Sequence, residues 1–151
     1  MKENNFAISL QQLWADNFIV YFKAHSYHFN TEGATFASDH ALFGEVYGYL
    51  YSEHDRLGEQ IRQFDKPVLV SLSDVLKASS IEEAQPKTMT TAAMMSTLAV
   101  DLDDLMVAGQ SVLDLAEKEK QGGLENLLGE YLMNISKLKW KLKATLGKSI
   151  K

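Results

Sequence analysis

A chain of 151 residues, 46% hydrophobic and 23% charged, is long enough to bury the core of one ordinary globular domain without covalent staples. It contains no cysteine, which excludes disulfides, zinc–thiolate sites and iron–sulfur clusters and leaves nitrogen and oxygen as the metal ligands to look for. The net charge of −5 argues against general affinity for nucleic acid, yet it is unevenly spread: residues 137–151 hold six lysines and no acid, against nine basic and twenty acidic groups elsewhere.

The opening residues, MKENNFAISLQQLW, lack the basic-then-apolar layout of a secretory signal. No apolar run approaches the ~18 residues of a membrane span, so a soluble, cytoplasmic protein is expected. Four long segments then repeat apolar residues in alternating steps of three and four, the spacing of helices with one buried face. The first runs from about Asn5 to Asn30, with Leu10, Trp14, Phe18, Tyr21, His25 and His28 on one side. The second, about Phe36 to Phe64, repeats at Phe36, His40, Phe43, Tyr47, Leu50, His54, Leu57 and Ile61. The third spans about Thr88 to Lys120, with Ala92, Met95, Ala99, Leu102, Met106, Gly109, Leu113 and Ala116 as its seam. Gly122-Gly123 reads as a helix stop, after which Leu124, Leu128, Tyr131, Ile135, Leu138 and Leu142 define the fourth. No stretch reads as a sheet.

A few residues around Gly33 join the first two helices and the glycine pair joins the last two, so both pairs are expected to be antiparallel hairpins. The connection between the pairs contains both prolines, Pro67 and Pro86, and is long for an ordinary helix link; it suits a crossover along the bundle. Within it Leu72, Val75 and Leu76 have helical spacing, and Ser71 with Asp74 resembles a capping box. The expected fold is all-α: a single ferritin-like four-helix bundle over residues 1–151, with a short helix in the crossover between helices two and three and a lysine-rich tail at about 137–151.

Four histidines and one carboxylate pair are the candidates for chemistry. A histidine on an apolar seam is more often a hydrogen-bonded core residue than a ligand, and an exposed acid pair is usually solvated surface. Asp55 and Glu59 are four apart, on one face of the second helix, and lie about 100° or more round from His54, so they need not point into their own core. His40 precedes Asp55 by fifteen residues, about 22 Å along the axis, which one subunit cannot close. The chain also lacks any Glu-x-x-His, the element of di-iron sites inside a single bundle. A two-fold axis closes the gap: if the second helix packs antiparallel on its copy, the His40 end of one chain meets the Asp55–Glu59 end of the other. His28, twelve residues before His40 across a tight turn, can join it on the same side.

The run His28-Phe29-Asn30, Gly33, Phe36, His40, Tyr47, Asp55 and Glu59 resembles the signature of the Dps family (DNA-binding protein from starved cells), a His-Trp-Asn…Gly…Phe…His…Tyr…Asp…Glu pattern with these spacings. The likeness continues through the crossover helix, about Leu72 to Ser79, and the Trp140 segment, Leu138 to Leu146. It implies that His28 and His40 of one subunit, with Asp55 and Glu59 of its dimer mate, are the ferroxidase ligands for iron. It also implies a hollow dodecamer built from two-fold dimers, hydrogen peroxide as the usual oxidant, storage of ferric mineral, and protection of DNA from oxidative damage. Two imidazoles and two carboxylates suit Fe(II) and leave coordination positions open. His25 and His54 are expected to be structural, and the methionines core filler. Tyr47, Tyr51 and Phe29 read as packing, with a possible use in absorbing stray oxidising equivalents.

The chain departs from the family in several places. Gly44 stands where many members carry an acid one turn after the second histidine, and Glu45 points about 100° away, which should weaken a second iron site. Phe29 replaces the usual tryptophan. The positions that resemble the acidic three-fold pore are Gln121, Asn126 and Glu130, with Glu117, Glu119 and Glu125 near enough to restore an attractive field for Fe(II). A basic N-terminal arm is absent, since residues 1–5 carry only Lys2 and Glu3, so DNA contact would have to use the tail, with Lys143, Lys148 and Lys151 foremost. The alternative for the tail is that its lysines line the solvated face of the fourth helix and complement its dipole. The rival to the ferroxidase reading is a Dps-shaped structural or DNA-binding cage whose iron site has decayed.

Overall fold

The computed structural model describes residues 2–148. In chain order its helices are α1 (Lys2–Asn30), α2 (Phe36–Gln63), α3 (Leu72–Ala78), α4 (Thr91–Lys118) and α5 (Gly122–Thr145), with no strand among the described residues. The four long helices form the bundle: α1 packs on α2 and α4, and α5 packs on α4 and α2, so each hairpin lies against the other.

The core is a continuous aliphatic column. Leu13, Leu50, Leu57, Leu98, Leu102, Leu105, Leu128 and Ile135 are sealed from solvent, and Gly109 admits the Tyr131 ring against the α4 backbone. The expected α5 seam is buried throughout. The expected α1 seam is not: Leu10 and Trp14 are buried, but Phe18, Tyr21, His25 and His28 are half-exposed, while Leu13, Ala15, Ile19, Val20, Ala24 and Tyr27 hold the centre. The apolar face of α1 is two stripes wide, and the ring-bearing stripe lies at its edge. α4 shifts likewise, with Leu98, Leu105 and Val112 interleaving the predicted positions.

Helix ends follow local hydrogen bonding. Ser71 caps α3 by accepting from the Asp74 amide at 3.2 Å, and its hydroxyl donates to the Asp74 carboxylate at 2.6 Å. Thr90 caps α4 by accepting from the Ala93 amide, so that helix starts three residues later than the spacing predicts. The glycine pair does not stop α4. That helix ends in a 6→1, 5→2 bond pair, Gln121 N–H to Ala116 and Lys120 N–H to Glu117, with Lys120 in the left-handed region at φ 56°. The same motif closes α2 with Asp65 (φ 57°) and α5 with Gly147 (φ 68°). Gly122 and Gly123 instead open α5. The lysine-rich stretch is accordingly helix as far as Thr145.

The crossover is held to α1 by a buried carboxylate. Asp16, 1% exposed, accepts from the Ser79 hydroxyl at 2.7 Å and from the Ser80 amide at 2.6 Å. Val75 tucks beneath α3, which packs on α1.

Candidate metal centre

The α1–α2 turn sets the two histidines side by side. Gly33 (φ +116°) supplies the conformation the turn needs and accepts from the Phe36 amide at 3.1 Å, after which α2 runs back along α1. The His28 and His40 rings stack with centroids 3.6 Å apart and planes 24° from parallel. Each ring is then tied to the other residue's backbone: His28 Nδ1 lies 2.7 Å from the His40 carbonyl, and His40 Nδ1 lies 2.7 Å from the His28 carbonyl. A carbonyl only accepts, so both Nδ1 atoms carry their protons and donate. In the neutral imidazoles this leaves both Nε2 lone pairs for a metal, the arrangement by which a partner on one ring nitrogen orients the other as a ligand.

Aromatic side chains pack around the pair. Phe36 stacks on His40 at 4.9 Å, Tyr47 meets His28 edge-on at 5.0 Å, and His25 is sandwiched between Tyr47 at 4.0 Å and Phe29 at 4.6 Å. Gly44 faces the same ring: a Cβ built there would lie 3.5 Å from His28 Cε1, ordinary van der Waals contact, so a side chain fits.

Asp55 and Glu59 are exposed on α2 and border an open depression shared with Trp14, His54, Gly58 and Arg62. Gly58 lies close beneath the indole: a Cβ there would come within 3.1 Å of Trp14 Nε1, which donates to the His54 carbonyl at 3.0 Å. Burial against Trp14 pushes the His54 imidazole below its ordinary range, the expected state of a neutral packing residue.

Within one chain the two pairs stay apart. Among the described residues no three His, Asp or Glu side chains are grouped to hold a metal ion. The histidines present two preset nitrogens at one end of the face, and the acids two carboxylates toward the other.

Other sequence candidates are placed as follows. Glu130 is ion-paired with Arg56 at 2.9 Å, and Arg56 also holds the buried Glu53 at 2.8 Å. Glu125 lies half-buried in the first turn of α5. Lys139 and Lys141 are paired with Asp103 and Glu45, Lys143 is half-buried, Lys148 is exposed, and Lys151 lies outside the described residues. No described helix is long and apolar enough to cross a membrane. Sequence reasoning missed the buried charged groups Asp16, Asp39 and Glu53 and the Lys23–Asp101 pair. Their signal was available as a charge on each helix at a position flanked by apolar neighbours one turn away.

Comparison with known proteins agrees with this architecture. The family model described as a ferritin-like domain matches residues 9–150. The DNA protection during starvation protein of Helicobacter pylori is 26% identical over 138 residues, covering 91% of this chain and 96% of that one. The crystal structure of the Vibrio cholerae O1 Dps protein, described as a member of a broad superfamily of ferritin-like diiron-carboxylate proteins, superposes with a TM-score of 0.90 at 29% identity, over 96% of this chain and 91% of the other. Antigen TpF1 of Treponema pallidum superposes with a TM-score of 0.91 at 25% identity, covering 96% and 93%. The chain belongs to the ferritin-like family, and it is similar along nearly its whole length to Dps proteins.

Proposed function

We propose that this protein oxidises Fe(II) at a centre shared between two subunits, with hydrogen peroxide as oxidant, and stores the ferric product inside a dodecameric cage built from two-fold dimers. The observation that carries this reading is the reciprocal pair of imidazole–carbonyl bonds, which leaves His28 Nε2 and His40 Nε2 as adjacent free donors at one end of the α1–α2 face. The carboxylates of Asp55 and Glu59 lie toward the other end, and an antiparallel α2–α2 pairing brings them to a partner's histidines. A two-imidazole, two-carboxylate set is suited to Fe(II). The Vibrio cholerae relative's description as diiron-carboxylate supports the same chemistry.

Exposed apolar side chains on this side also support a partner copy. Phe22, Leu72 and Leu76 line one groove, Phe29 and Phe36 are exposed around the histidine end, and Tyr51 is exposed one turn before Asp55. Removing Fe(II) and peroxide together would protect DNA in the cytoplasm without contact. Should DNA be bound, Lys143, Lys148 and Lys151 are the contacts we propose, because Lys139 and Lys141 are already paired. Glu125 and Glu130 are proposed for the pore, with Glu130 drawn toward Arg56. Anaerobic loading with Fe(II), then peroxide, should give a rapid rise in ferric absorbance that far outruns buffer; a rate equal to buffer would exclude the activity.

Gly44 gives a second test. With room for a Cβ beside His28, Gly44→Glu places a carboxylate at the histidine end and is expected to raise the number of Fe(II) bound per subunit in an anaerobic titration. Unchanged stoichiometry would show that this position does not limit iron binding.

A further inference from the structure

An unbroken series of rings runs along the α1–α2 face from the histidine pair to the carboxylate pair of the same subunit. His40 stacks on His28 at 3.6 Å, His28 meets Tyr47 at 5.0 Å, and Tyr47 stacks on His25 at 4.0 Å. His25 lies 5.8 Å from Tyr21, Tyr21 is 5.8 Å from Phe18, Phe18 is 5.1 Å from His54, and His54 stacks on Trp14 at 4.3 Å. Trp14 and His54 border the same depression as Asp55 and Glu59. Core packing does not require this composition. The neighbouring buried stripe of α1 has one ring, Tyr27, among Leu13, Ala15, Ile19, Val20 and Ala24, whereas the edge stripe is a ring at every helical step: Trp14, Phe18, Tyr21, His25 and His28.

We propose that this series carries oxidising equivalents between the two ends of the subunit, with Tyr47, Tyr21 and Trp14 as the residues oxidised in transit. The proposal rests on the shared iron centre proposed above. In that arrangement the two ends of one subunit belong to the two different centres of the dimer, so the rings connect the centres to each other.

Reduction of peroxide explains why such a connection is useful. Breaking the O–O bond to give two waters takes two electrons and two protons, and a centre with glycine at position 44 lacks one acid to hold a second iron. One Fe(II) supplies one electron. Tyr47, edge-on to His28, supplies the other together with its phenolic proton, which leaves in water; with one proton from solvent the products are one Fe(III), two waters and a neutral tyrosyl radical. The radical passes to Tyr21 as Tyr47 takes an electron from it and a proton from solvent; the proton that Tyr21 releases passes by His25 Nδ1, 3.5 Å from its hydroxyl, to solvent. Fe(II) at the distant centre then returns the electron, and a solvent proton restores the phenol. The sum is two Fe(II), one peroxide and two protons giving two Fe(III) and two waters.

The test is rapid freeze-quench electron paramagnetic resonance on the intact assembly. Protein loaded with one Fe(II) per dimer, or with two, is mixed with peroxide at one equivalent per dimer. A tyrosyl signal at half loading that is lost at full loading is expected for the natural protein. Tyr21→Phe keeps the ring but cannot be oxidised to a phenoxyl, so its tyrosyl signal should persist at full loading, and it should vanish in Tyr21→Phe/Tyr47→Phe. Absence of any radical in half-loaded natural protein, or identical loading dependence in Tyr21→Phe, would overturn the relay. Anaerobic calorimetry of Fe(II) binding to Asp55→Ala separates the two levels. Undiminished binding there removes the shared centre and the relay with it, whereas lost binding with unaltered Tyr21→Phe behaviour removes the relay alone.

Discussion

Subunits carrying His28→Ala and subunits carrying Asp55→Ala, each inactive by itself, are expected to recover peroxide-driven Fe(II) oxidation when co-expressed. On the shared centre proposed above, each change deletes one ligand from both centres of a homodimer. Losses of about 10–100-fold in metal affinity follow from removing even a ligand's supporting partner, so deleting the ligand should cost at least that. A mixed dimer is different. The Asp55→Ala subunit still offers His28 and His40, the His28→Ala subunit still offers Asp55 and Glu59, and one of the two centres is whole. Ferric absorbance after peroxide, measured on the purified mixed assembly, would report that centre. If co-expression gives no more than the separate variants, the ligands do not come from opposite subunits. A site contained in one chain predicts no recovery at all.

Lys23→Ala should be the most damaging single change to stability outside the apolar core. Lys23 Nζ lies 3.0 and 3.2 Å from the Asp101 carboxylate oxygens, with side-chain exposures of 5% and 9%. Burial pushes the Asp101 carboxyl up, and the Lys23 ammonium is the main influence opposing it. Truncating the lysine leaves a buried carboxylate without its counter-charge, a loss of about 3–5 kcal/mol. Replacing both partners together, Lys23→Met with Asp101→Leu, should restore most of it, since the desolvation of both charges disappears with the attraction. The exposed pair of Lys139 with Asp103 is the control, where Lys139→Ala should change stability by about 1 kcal/mol or less. Urea unfolding at one fixed subunit concentration measures all four proteins on a common footing, because assembly itself adds to apparent stability. A Lys23→Ala midpoint indistinguishable from that of the control would refute the argument.

The sequence shows the helices more clearly than it shows their centre. Spacing in threes and fours located all four long helices and the crossover helix, because a single buried face leaves that period in any chain. It misplaced the core of α1, because rings and aliphatics both read as apolar: Phe18, Tyr21 and His25 continue the series Leu10–Trp14 yet sit at the edge beside α2. Glycine pairs suggest stops, but a 6→1 bond to Ala116 let Lys120 adopt the left-handed turn. At the candidate site, the His28–His40 adjacency was legible, since twelve residues across a tight turn return the chain to the same level. The tautomers were not, because they depend on which carbonyls the rings reach. Nor was the Arg56 bridge between Glu53 and Glu130, which joins residues on α2 and α5.

The crossed bonds between His28 and His40 also bear on timing. Both are made within a single hairpin, between residues twelve apart, so a newly synthesised subunit can orient its imidazoles before it meets another copy. On the arrangement proposed above, that lone subunit still has no complete iron pocket: its nitrogens and its carboxylates wait for a neighbour's. The oxidation of iron is then withheld from stray monomers and begins only once a partner has docked, so the reactive chemistry and the vessel that confines it come into being together.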